Sequence, residues 1–168
     1  MLSTTGQKVL TVEASRGIAT LPATHDDGDH KGEADNDPHV WLDPALAQTI
    51  VERITDGLTQ ANPAATSTYL ANANNLKQRL AQLDQQYKAG LASCRLKTFI
   101  AAHDAFGYPA KRYGLQQLAI AGLSPEASPS GSHLASLATA ARSSGAKYVF
   151  FETLTSPALA QTLAREVG

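Results

Sequence analysis

After the break at Asn62-Pro63 the chain runs from Ala64 to Leu91 without a proline and with one glycine, at position 90. Tyr69, Ala73, Leu76, Leu80, Leu83, Tyr87 and Leu91 recur in steps of four and three, the spacing of one face of an α-helix. A helix of about 28 residues is ~42 Å long, more than the width of a small domain. It therefore serves as half of a coiled coil or as a strut between two bodies. Its polar face, with Asn72, Asn75, Arg79 and Gln86, suits either role.

The texture on the two sides of this helix differs. Upstream, Lys8 to Val12 reads as a short strand. Asp43-Pro44 then opens an amphipathic helix over 44–60, with an acidic cap and a proline at the first helical position. Downstream, residues 98–102, 117–121 and 148–151 read as strands, with helices at 104–113, 130–144 and 156–166. Strands alternating with helices predict a parallel sheet with right-handed crossovers and ligands at the carboxyl ends of its strands. His103 and Glu152 stand at two of those ends. The expected fold class is α/β: two lobes with parallel sheets joined by a long rigid helix, the amino lobe incomplete. The boundaries are a partial amino-terminal lobe at 1–62, the interlobe helix at 63–92 and a carboxyl-terminal lobe, incomplete at its end, at 93–168.

Charge excludes one function class. The 168 residues carry 14 Lys and Arg against 15 Asp and Glu, a net charge of −1, so the chain is not built to neutralise nucleic-acid phosphates. The balance is uneven, because residues 25–37 (HDDGDHKGEADND) hold six of the acids and only Lys31 among the bases. His25 and His30 make that stretch a cation-attracting tract or a solvated loop. The lone Cys94 permits neither an internal disulfide nor a cysteine-based zinc site. No apolar run has the ~18 residues of a membrane span, and the first residues lack the pattern of a secretory signal.

Five histidines remain as chemistry. His39 lies in DPHVWLDP, between the acidic tract and a helix start, where capping or packing competes with ligation. His103 ends a strand, and neutral imidazole is the commonest metal ligand near pH 7. His133 opens a helix and reads as a surface residue. Ser130 and Ser132 lie close to it, but no GxSxG elbow supports a nucleophile. Glu152 reads as a strand-end acid that bonds a helix start or the facing lobe, or as an outer partner of a histidine ligand.

Four ordered segments, DPHVWLDP (37–44), AAHDAFGYPAKRYGL (101–115), GLSPEASPS (122–130) and FFETLTSP (150–157), resemble the successive motifs of periplasmic zinc-binding proteins of ABC transporters, the ZnuA-like branch of the metal-specific solute-binding proteins. The resemblance implies a divalent metal between two lobes, held by three histidines and a carboxylate. His39 and His103 are the two ligands that this sequence supplies by position, and the other two would lie before Met1 and after Gly168. It further implies zinc as the transported ligand, a permease at the membrane as partner, a periplasmic location and no catalysis. A nitrogen-rich site favours zinc over manganese. The competing expectations are a metal-dependent hydrolase using His39, His103 and Glu152, a manganese-binding or adhesin-type member of the same family, and a coiled-coil adaptor.

Overall fold

The computed structural model describes residues 9–23, 36–126, 129–153 and 156–167. Residues 9–12 form no strand, and the first ordered pairing is a single antiparallel bridge between Pro22 and Asn36. Lys8, the start of the expected strand, lies outside the described residues. Among the described residues the amino-terminal half contributes no sheet strand to pair with 9–12. Val12 instead lies against the helix that follows, at Gly57, where an added Cβ would collide with its Cγ2.

That helix, α1 (Pro44–Ala61), starts as the sequence predicts. The Asp43 carboxylate accepts from the Ala45 N–H at 2.8 Å, and Pro44 occupies the position where an N–H would have no partner. A 3-10 turn at Pro63–Ala65 leads into α2 (Thr66–Ala92), one unbroken helix of 27 residues, or ~40 Å. α2 packs along α1, with Lys77 paired to Glu52 across the contact. Its apolar seam is only partly covered. Tyr69, Ala73, Leu80 and Leu91 are half-buried, whereas Leu76, Leu83 and Tyr87 are exposed. The one fully buried residue of α2 is a carboxylate, Asp84.

The carboxyl-terminal half is the expected parallel α/β unit. β1 (Thr98–His103) lies in the middle, with β2 (Gln116–Ala121) on one side and the short β3 (Val149–Phe150) on the other, in the order β2-β1-β3. Register is fixed by Ile100 opposite both Leu118 and Val149. The odd and even positions of β1 divide the sheet into two unlike faces. On one, Ile100 and Ile120 pack against Leu137, Ala138 and Ala141 of α4 (Gly131–Ser144) and Ala160 and Leu163 of α5 (Ala158–Val167). On the other lie Phe99 and Phe150, ring centroids 6.4 Å apart, beside α3 (Gly107–Tyr113) and the end of α2. A groove of about 760 Å³ opens there, lined by Phe99, Phe106, Tyr148, Phe150, Tyr87 and Leu91.

The largest shift from the expected helix starts is at α3. α3 begins at Gly107 and not at 104, because the Asp104 N–H donates to the Gly122 carbonyl at 2.9 Å and the Phe106 N–H to Gln117 Oε1 at 2.7 Å. These bonds keep the chain against the ends of β1 and β2. α4 is capped by Ser130, whose hydroxyl accepts from the His133 N–H at 3.1 Å. α3 and α4 both stop at glycines in the left-handed region, Gly114 at φ 66° and Gly145 at φ 68°. No described helix is long and apolar enough to cross a membrane.

Candidate metal centre

The two ends of a site meet where the amino-terminal half lies on the carboxyl ends of the strands. His39 caps a 3-10 turn, Val40–Leu42, just ahead of α1, and His103 is the last residue of β1. The imidazole rings lie 5.3 Å apart, centroid to centroid, inclined at 68°. A tetrahedral zinc lies about 2.0–2.1 Å from each histidine nitrogen, which sets the ring centres of two shared imidazoles roughly 5.2 Å apart. The observed spacing matches that value.

Each ring has a carboxylate on its Nδ1. Asp37 Oδ1 stands 2.7 Å from His39 Nδ1 and also accepts the His39 backbone N–H at 2.9 Å. Glu152 Oε1 stands 2.5 Å from His103 Nδ1. A carboxylate at Nδ1 fixes the proton there, orients the ring and leaves Nε2 as the basic, lone-pair nitrogen. This is the outer partner that Glu152 could supply to a histidine, and its reach across 49 residues depends on β3 lying beside β1. Both rings are nearly buried, with side-chain exposures of 12% for His39 and 10% for His103.

Asp37 is itself held from behind. The Tyr108 hydroxyl donates to the Asp37 carbonyl at 2.6 Å and accepts from the Leu21 N–H at 3.0 Å, while the Asp37 N–H donates to the Leu21 carbonyl at 2.8 Å. Burial, the main cause, raises the Tyr108 phenol above its ordinary range, and the nearby Asp37 charge adds to it. Gly107 leaves room for the second Asp37 oxygen, since a Cβ there would sit 3.0 Å from Oδ2. Gln117 ties the His103 end, its amide donating to the His103 carbonyl at 3.0 Å and to Asp104 Oδ1 at 3.1 Å.

The one other described histidine does not join the pair. His133 points its Nε2 to the Ala119 carbonyl at 3.1 Å, and His25 and His30 lie outside the described residues. Among the described residues no third His, Cys, Asp or Glu completes a metal-holding group. Ser130 and Ser132 bond each other at 3.0 Å, with Ser130 serving as the α4 cap. Sequence reasoning missed Asp37, which it counted only as one charge of the acidic tract. Its place two residues before His39 was the available signal, because an aspartate there can bond the N–H at i+2. Tyr108 had no such signal, as its contacts lie 71 and 87 residues away.

A model of the family described as "Zinc-uptake complex component A periplasmic" (ZnuA) matches residues 1–168. This chain belongs to the ZnuA family. It is 41% identical over 169 residues to the zinc-binding protein AdcA of Streptococcus pyogenes, an alignment that takes in 98% of this chain and 33% of AdcA. It is 40% identical over 163 residues to the high-affinity zinc uptake system protein ZnuA of Bacillus subtilis, covering 94% of this chain and 51% of that protein. The chain thus spans about a third to a half of the length of these two curated relatives. Among solved structures, the Zn(II)-bound AdcAII E280Q variant of Streptococcus pneumoniae superposes with a TM-score of 0.82 at 32% identity, over 93% of this chain and 57% of that one. The ZnuA-family α/β architecture expected from the four motifs is therefore the one observed.

Proposed function

We propose that this chain captures zinc between its two halves and, as part of a solute-binding protein, delivers the ion to the membrane permease of an ABC transporter outside the cytoplasm, in the periplasm where the cell has one. The supporting observation is the pair of imidazoles 5.3 Å apart, each with a carboxylate at Nδ1. His39 and His103 are the protein ligands of this reading, and water or further groups complete a four-coordinate ion. Nitrogen donors favour zinc over manganese. Binding and release are the whole activity, with no bond made or broken in a substrate. The division into 1–62, 63–92 and 93–168 belongs to the same reading, with α2 as the strut. The acidic tract from His25 to Asp37, Asp37 itself excepted, raises the local zinc concentration without forming the main site.

Calorimetric titration with zinc tests the reading. One zinc equivalent is expected for the wild type and its loss in His39→Ala and His103→Ala, while deleting 25–35 should slow capture and leave that binding event in place. Equal binding by wild type and His103→Ala would overturn the assignment.

A further inference from the structure

We propose that Arg112 is a positioning residue for the metal site, clasping the amino-terminal half to α2 so that His39 stays in register with His103; the proposal rests on the reading of those histidines as zinc ligands. Three elements converge on one guanidinium. Arg112, on α3, places Nε 2.7 Å from Asp84 Oδ1 on α2 and 3.4 Å from Asp43 Oδ1 at the cap of α1. Both carboxylates are 9% exposed and the arginine 26%, so the ion pairs are shielded from water and salt. Asp84 is also bonded by Lys88 Nζ at 2.7 Å and by the Tyr113 hydroxyl at 3.1 Å, and so is anchored independently of Asp43.

Asp43 and Arg112 each lead directly to a histidine. Asp43 is joined to the His39 segment by the 3-10 turn, its N–H donating to the Val40 carbonyl at 3.3 Å and the Leu42 N–H to the His39 carbonyl at 3.2 Å. Arg112 lies on the helix that follows the bend after His103, a bend pinned by Gln117 to the end of β1. On α3, the Tyr108 hydroxyl bonds to the segment carrying His39 and Arg112 makes an ion pair with Asp43 at its far end. Tyr108 fixes the backbone of Asp37 from one end of that segment, and Arg112 fixes Asp43 from the other. Two points define the placement of a short turn, and one leaves it free to pivot. Nε donates its one N–H to Asp84, and Asp43 is held beside it by the charge of the guanidinium.

The experiment compares wild type, Arg112→Gln, Asp43→Asn and His103→Ala by zinc titration and by the visible spectrum of bound cobalt(II), at a temperature where circular dichroism shows each variant folded. Asparagine caps a helix as well as aspartate, so Asp43→Asn removes the charge and keeps the cap. Zinc affinity is expected to fall about tenfold in Arg112→Gln, the lower end of the range for groups that orient metal ligands. The cobalt ligand-field bands should shift, a change that loss of stability alone does not produce. Asp43→Asn should move both readouts in the same direction, and the double variant should be no worse than Arg112→Gln. Wild-type affinity and an unshifted spectrum in folded Arg112→Gln, with binding lost in His103→Ala, would overturn the clasp alone. Equal zinc binding by His103→Ala and wild type would overturn the site reading and the clasp with it. If Arg112→Gln does not fold, Asp43→Asn carries the same two readouts, and its identity with wild type would overturn the clasp.

Discussion

Replacing Tyr108 with phenylalanine removes one oxygen and keeps the ring, so no cavity forms and the loss is confined to two hydrogen bonds. The residue is 4% exposed. Its hydroxyl donates to the Asp37 carbonyl at 2.6 Å and accepts the Leu21 N–H at 3.0 Å. A buried group left without a partner costs about 1–3 kcal/mol. Asp37 is buried and Leu21 half-buried, so the total should be about 2 kcal/mol. For a chain of 168 residues that corresponds to a fall in Tm of roughly 4–8 °C. Urea unfolding followed by circular dichroism measures it, with Tyr113→Phe as a comparison expected to lose about 1.5–3 kcal/mol, the range for a hydrogen bond to a charged group. Zinc affinity should fall as well, since the Asp37 backbone that carries the His39 partner is released. A loss under about 0.5 kcal/mol would refute the argument that this hydroxyl staples residues 21 and 37 to α3.

Stability should be level in the middle of the pH range and fall on both sides. The Arg112 hydrogen bond, more than those from Lys88 and Tyr113, holds the Asp84 carboxyl well below the usual carboxylate range, so its contribution is present above about pH 4 and is lost as pH falls toward the folded-state value. Burial and then Asp84 push the Tyr113 phenol up to about 12, so its contribution is present below about pH 10 and is lost between there and about 12. Urea midpoints across pH should show that alkaline fall in wild type and a weaker one in Tyr113→Phe. Leu80→Ala should cost about 1–2 kcal/mol in the same assay, because Leu80 is half-buried and the 2–5 kcal/mol of a core leucine does not apply. His133→Ala should leave zinc affinity within twofold of wild type in a competition titration, since its ring nitrogen is spent on the Ala119 carbonyl.

The parts of the molecule legible in the sequence are those set by local rules. Asp43-Pro44 announces the start of α1, the unbroken seam announces α2, and Gly114 and Gly145 mark helix ends through a conformation that side chains resist. The paired strands follow from β-rich runs spaced by helices. Asp84 was illegible because the seam of α2 reads as apolar on both sides of it, while its burial depends on Arg112, 28 residues away. The site divides in the same way. His39 and His103 stand out in their motifs and are brought together, and Glu152 was visible as a strand-end acid. Tyr108 and Gly107 serve the site only through the way α3 crosses residues 21 and 37, which no local pattern encodes.

The uncovered aromatic face of the sheet has a thermal consequence. On that face Tyr148 is 67% and Phe150 57% exposed. Surface already wet in the native state adds nothing when the chain unfolds. Each Å² of apolar area left exposed there lowers the heat-capacity increment of unfolding by about 0.45 cal/mol/K, from the roughly 2.0–2.5 kcal/mol/K usual for this length. The curve of stability against temperature is correspondingly shallow, and whatever comes to lie on Phe99, Phe150 and Tyr148 will steepen it.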